Sequence, residues 1–287
     1  MSGSYDHALR FFPLTGETYR PTVGLKPVED GEWLLFGPDA DDQLAERAVL
    51  LQDERPTVLQ VLPQAEDACR ELLGLVLANL ERHHPERVTP ALRAAAADSA
   101  RLSGAEALAA AGVAVPEDLA LLSPRPPVGL EAGCVCFPSR WSLAEKVGRT
   151  SDAIHAPVPG FAGVAAATNA ALERLPPGRA VARINWTMHD SDHRFCPGPV
   201  PGRTDHTLER VIDDTWFRME RQTLRRLPAT GAVCFTIRTF LIPMRTVIAD
   251  PERHRAVAAT VRTLPRETAV YKGMGSFVDL LAAALAR

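Results

Sequence analysis

Two prolines two residues apart, Pro157 and Pro159, close a helix almost as soon as it opens, and so fix the backbone around one histidine. Proline lacks the N–H that would continue a helix, and Pro157 drives Ala156 toward extended backbone. Upstream, Thr150 or Ser151 suits the cap of a short turn, Asp152-Ala153-Ile154-His155, and Gly148 suits the left-handed exit of an earlier helix. Ser142 followed by Glu145 is the S-x-x-E pattern of a capping box, which opens that earlier helix near Trp141. His155 therefore falls in the last turn of a helix, beside carbonyls that have no partner within it. A neutral imidazole there either caps the helix end, or donates one ring N–H to a carbonyl and offers the other nitrogen to a metal.

The chain of 287 residues is 46% hydrophobic, enough for a packed core, and no linker separates it into two units. A single domain over 1–287, with an N-terminal extension, is the expectation. The opening MSGSYDHALRFF carries Asp6 and His7 where a signal peptide needs an apolar run, and no stretch is long and apolar enough for a membrane span. A cytoplasmic protein with no membrane partner is expected. Five cysteines without C-x-x-C spacing argue against an all-cysteine cluster, and Cys134 and Cys136 suit one face of a strand. A net charge of −3 leaves no nucleic-acid footprint. Lysine stands only at 26, 146 and 272.

Apolar residues recur at helical spacing from Gln64 to His83 and predict an amphipathic helix, followed by the alanine-rich, weakly patterned segment 89–114. Strands are expected over 118–122 and 131–137, and helices over 163–175, 215–227, 251–264 and 277–286. The run RAVARINWTMH, 179–189, alternates as a strand, with Ala182, Ile184 and Trp186 on one face and Arg183 and Asn185 on the other. Residues 232–241 are β-branched and aromatic, a further strand with Thr236 and Arg238 on one face. Cys196 to Gly202 reads as a proline-glycine loop. Helices first, then strands flanking short helices, predict an α+β fold with an antiparallel sheet.

Six stretches, in order, resemble the family of haem-dependent oxidative N-demethylase subunits. They are Gly24-Leu25-Lys26-Pro27; Phe137-Pro138-Ser139 with Trp141; Glu145-Lys146 with Gly148; Ile154-His155 with Pro157-Val158-Pro159-Gly160; Asn185-Trp186; and the run from Glu220 to Pro243. The resemblance covers about Phe11 to Lys272. It implies a PAS-like haem-binding fold, with an antiparallel sheet, flanking helices and a helical N-terminal elaboration. In such folds the axial histidine comes from the helix before the last three strands, so the resemblance makes His155 the ligand of a haem b iron. It further implies oxygen-dependent oxidation of a small amine, such as dimethylamine, with electrons from a separate flavin and iron–sulfur reductase.

A haem site needs cations for its propionates and polar groups for oxygen. Lys146, Arg221, Arg225 and Arg226 are the candidates for the first role, each with a surface salt bridge as the alternative. Arg183, Asn185, Glu220 and Arg238 are the candidates for the second. Arg238 in mid-strand is costly to bury without an anion, be it a propionate or a carboxylate such as Glu220. Glu220, Asp190 and Asp192 are possible partners for a cationic amine. His189-Asp190-Ser191-Asp192-His193 has metal-like composition but sits between a strand and a loop, where solvated residues are the commoner outcome. His189 remains open as a pocket residue. Gly273-Met274-Gly275 lacks the context of a dinucleotide fingerprint. A haem-based gas or redox sensor and a haem-free structural subunit stand as the other functional expectations.

Overall fold

The computed structural model describes residues 5–20, 23–198 and 202–287. Its frame is a seven-stranded sheet of β1 (Lys26–Val28), β2 (Leu59–Val61), β3 (Asp118–Leu122), β4 (Leu130–Cys134), β5 (Ala180–His189), β6 (Trp216–Arg226) and β7 (Val233–Pro243). The spatial order is β1-β5-β6-β7-β3-β4-β2, and every neighbouring pair is antiparallel. Helices α1 (Asp6–Leu9), α2 (Ala40–Asp53), α3 (Arg55–Val58), α4 (Glu66–His83), α5 (Pro90–Ala97) and α6 (Gly104–Ala114) belong to the N-terminal part. Between β4 and β5 run α7 (Leu143–Lys146), α8 (Ser151–His155) and α9 (Ala165–Arg174). After β7 come α10 (Met244–Ile248), α11 (Pro251–Thr263), α12 (Arg266–Tyr271) and α13 (Val278–Leu285). The α+β class and the antiparallel sheet expected from the order of elements are therefore present. Of the proline-glycine loop 196–202, residues 199–201 lie outside the described residues.

The pleat sorts the sheet's side chains onto two faces. Register sets Arg183 against Gln222, Asn185 against Glu220 and Thr187 against Arg218, and Glu220 in turn against Thr239, so these share one face. One position along, Arg221 faces Arg238, Thr223 faces Thr236 and Arg225 faces Cys234, on the other. That second face carries most of the core. Leu72, Leu73, Val76 and Leu80 of α4 and Leu108 of α6 pack with Leu119 and Cys134, while Val257 of α11 and Leu281 of α13 pack with Trp186, Met219 and Phe240. The first face is more thinly covered. Leu143 of α7 and Ile154 of α8 join Ala120, Leu130, Val135 and Phe235 there.

The helix expected over 215–227 is instead strand β6, laddered to β5 along ten residues and to β7 along eleven. Being central, β6 is covered on both faces, so long side chains occupy odd and even positions alike and the alternation of a half-exposed strand is lost. Its Met, Glu, Arg, Gln and Leu residues are also good helix formers, and tertiary pairing overrides that preference. The capping box at Ser142 is absent, because the Ser142 side chain makes no bond to the start of α7. Packing holds that single turn in place: Leu143 is inserted so close to Gly133 that a Cβ there would stand 2.8 Å from Leu143 Cδ1. Thr150 does cap α8, its Oγ1 accepting from the Ala153 N–H at 3.3 Å, and Gly148 takes the expected positive φ of 85°.

Candidate functional site

His155 closes α8, and its Nδ1 lies 2.8 Å from the main-chain oxygen of Ser151. A carbonyl only accepts, so Nδ1 carries the proton and Nε2 keeps its lone pair. Nε2 has no protein hydrogen-bond partner among the described residues. The ring lies flat on Phe161, with centroids 4.7 Å apart and planes 16° apart. Burial pushes its pKa below the ordinary histidine value, and the charges of Arg183 and Lys146 add to that, so the imidazole is neutral. From Asp152 to Ala171 no side chain is fully buried, although Ile154, Val158, Phe161 and Val164 are apolar. An arch with half-buried apolar side chains thus lies over the polar first face of the sheet.

On that face stands Glu220, whose side chain is only 9% exposed. Its Oε1 accepts from Arg218 Nε at 3.0 Å, and its Oε2 accepts from Asn185 Nδ2 and Gln222 Nε2, each at 3.1 Å. Burial opposes ionisation here, but Arg218 and the amide donors outweigh it and hold the carboxyl below its usual range. Arg183 is different. It is half-buried, has no hydrogen-bonded or ion-paired partner among the described residues, and burial lowers its pKa against the charges of Tyr19 and Glu220. Lys146 reaches only the Ile154 carbonyl, at 3.5 Å.

The structure thus brings His155, Lys146, Arg183, Asn185 and Glu220 to one side of the sheet. The other candidates are spent elsewhere. Arg238, on the opposite face and fully buried, donates to Asp39 at 2.7 Å, to Gln43 and to the Leu35 carbonyl, so its anionic partner is Asp39 and not Glu220. Arg221 donates to the Glu32 carbonyl, and Arg225 pairs with Asp30 at 2.7 Å and lies over Trp33. Arg226 is on the first face but at the far end of β6, tied to the carbonyls of Leu172, Leu175 and Gly231. In the HDSDH segment, His189 is buried and bonded to Ser139 Oγ at 3.0 Å, and Asp190 pairs with Arg140 at 2.6 Å, whereas Asp192 and His193 are exposed. Among the described residues no group of three or more His, Cys, Asp or Glu is arranged to hold a metal ion.

One residue of the site is not among the candidates above. Lys272 donates to the Trp186 carbonyl on the edge of β5 and lies over the Trp186 ring, 4.6 Å from its centroid. Its own carbonyl accepts from Thr187 Oγ1 at 2.8 Å, and the turn is pinned by Arg140 Nη1 on the Gly273 carbonyl. Burial drags its pKa down to about 8, with Glu220 opposing and Arg183 assisting. The signal that marks it in the sequence is rarity, since it is one of three lysines beside 29 arginines among the 32 basic residues. A surface groove of about 630 Å³ between Leu9–Gly16 and α11 is remote from His155 and has none of these residues in its lining.

The structure is thus an antiparallel α+β protein with a neutral, half-buried imidazole on the side of a polar sheet face. The particular family is given by a family model described as haem-dependent oxidative N-demethylase, alpha subunit-like, which matches residues 24–282. The chain belongs to that family.

Proposed function

We propose that this chain is the haem-bearing, oxygen-using subunit of an oxidase that removes a methyl group from an amine nitrogen. The residues fit a haem. His155 offers a neutral Nε2 whose tautomer is set by Ser151, half-buried apolar side chains flank it, and Lys146 and Arg183 carry charge without an anionic partner among the described residues. His155 would hold the iron and Lys146 would face a propionate. The haem, when bound, supplies the reductive activation of dioxygen. Placement of α8 before the last three strands, β5 to β7, supports the PAS-like reading.

Asn185, Arg183 and Glu220 then form the polar wall that orients the amine and places hydrogen-bond donors where negative charge develops on oxygen. Glu220 fixes Asn185 and Gln222 in position through its Oε2. The net change inserts one oxygen atom into a C–H bond next to nitrogen, and the carbinolamine splits into formaldehyde and the dealkylated amine. The other oxygen atom leaves as water, with two protons and two electrons. Those electrons come from a separate reductase subunit, in keeping with the alpha-subunit family name.

The observation that carries the proposal is the free Nε2 of a neutral His155 held by a backbone carbonyl. Reconstitution of the purified chain with haem tests it. A Soret band is expected from wild type and its loss from His155→Ala; identical spectra for the two proteins, or no band from either, overturns the assignment.

A further inference from the structure

Two tight turns follow His155, closed by the Val158 N–H on the His155 carbonyl at 2.8 Å and by the Phe161 N–H on the Val158 carbonyl at 3.1 Å. Pro159 and Gly160 hold the centre of the second, where Gly160 has φ 77° and ψ 0°. Those are the angles of the third residue of a type II turn, a conformation that glycine adopts without strain and a residue with a Cβ does not. The chain thus doubles back within the six residues after His155 and lays the Phe161 ring on the imidazole, with centroids 4.7 Å and planes 16° apart. Phe161 is half-buried and belongs to none of the apolar clusters packed on the sheet. Among the described residues its aromatic partner is His155.

We propose, resting on the haem reading of His155, that Phe161 is a positioning residue that sets the plane of the ligand imidazole. The bond from Nδ1 to the Ser151 carbonyl lies in the plane of the ring, so it fixes where Nδ1 points but leaves the ring free to tilt about that bond. A flat aromatic face against one side of the ring opposes the tilt. Carbonyl and phenyl together restrict the Nε2 lone pair to one direction. Contacts of this kind, made by residues that do not touch the metal, orient a histidine ligand and tune what it holds. Gly160 serves the same end by allowing the turn that returns Phe161 to the ring.

Phe161→Leu keeps an apolar side chain and removes the flat face, whereas Phe161→Tyr keeps the face. In the haem-reconstituted chain, Phe161→Leu should bind haem about fivefold more weakly, the factor that a lost aromatic pair represents. Its ferric electron paramagnetic resonance signal should broaden as the imidazole samples several planes, and Phe161→Tyr should match wild type in both respects. An unchanged signal in Phe161→Leu overturns the proposal whatever the affinity, because packing of the segment would then be the whole role of the residue. So does equal broadening in the Leu and Tyr variants. If wild type takes up no haem, the demethylase reading fails separately, and proton resonance spectra of the haem-free chain still decide the stack. The carbon-bound ring protons of His155 should lie upfield in wild type and Phe161→Tyr and move downfield in Phe161→Leu; identical shifts in all three overturn it.

Discussion

The Nδ1 of His155 lies 2.8 Å from the main-chain oxygen of Ser151, one turn back along α8, so the backbone itself orients the ring. No side-chain substitution at Ser151 removes that partner. Position of the carbonyl depends instead on the start of α8, where Thr150 Oγ1 accepts from the Ala153 N–H. Thr150→Ala removes the cap, at a cost of about 1 kcal/mol to the local helix. Haem affinity should fall roughly fivefold, the factor that such an energy represents. Ser151→Ala should leave it unchanged. Haem titration followed at the Soret band checks both, and equal affinity for Thr150→Ala and wild type would count against a cap-positioned ligand.

Opposite faces of the sheet give Arg238 and Arg183 opposite consequences on removal. Arg238→Met leaves Asp39 and Gln43 without their buried donor, and breaking such a pair costs about 3 kcal/mol. Arg183→Met removes a half-buried cation with no partner among the described residues, so stability should change by no more than about 0.5 kcal/mol, or rise. Ligand binding should respond in the reverse order. Urea denaturation and ligand titration of the two variants are the measurements, and a large stability loss in Arg183→Met would show that its charge is structurally compensated.

The features that were legible in the sequence are those fixed locally. Thr150 and Gly148 bound α8 through backbone rules that need no distant partner, whereas Ala156 keeps helical backbone, φ −50° and ψ −37°, instead of the extended conformation expected before Pro157; the alternation of Ala182, Ile184 and Trp186 against Arg183 and Asn185 survives in β5 because its pleat faces two different environments. Strand β6 was illegible because it is buried on both faces, and that hid the pairing of Glu220 with Arg218 two residues earlier. Arg238 announced its need for an anion but not which one, since Asp39 lies 199 residues away in sequence. Lys272 was visible only as a rare lysine; its role depends on where Arg140 and Thr187 hold a turn.

Arg47 and Asp118 form the most buried ion pair of the helical side, with Nη1 2.6 Å from Oδ1 and both side chains at most 1% exposed. Asp118 also accepts from the N–H groups of Cys136 and Phe137, which links the pair to the segment leading into α7. Burial raises the carboxyl pKa even with Arg47 beside it, so the charge depends on its partner. Arg47→Ala should cost about 3–5 kcal/mol by leaving that carboxylate uncompensated. Chemical denaturation at pH 7 measures it; a loss under about 1 kcal/mol would mean that the main-chain donors suffice.

His189 makes stability depend on acid. It is fully buried, Nε2 bonds to Ser139 Oγ, and burial, with the like charges of Arg218 and Arg140, pushes its pKa down to about 2. The folded state therefore refuses a proton that the unfolded chain accepts below the ordinary value of 6.5. Stability from this group is complete above about pH 6.5 and is lost progressively as pH falls toward about 2, at roughly 1.4 kcal/mol per pH unit. His155, also depressed by burial, acts in the same direction. Between pH 7 and pH 5 the unfolding free energy should fall by about 2 kcal/mol from His189 alone. His189→Gln keeps an amide for Ser139 but does not titrate, so it should remove that part of the pH dependence while leaving the pH 7 value within about 1.5 kcal/mol. Urea curves for both proteins at the two pH values decide it, and parallel pH dependence in wild type and variant would assign the acid sensitivity to other groups.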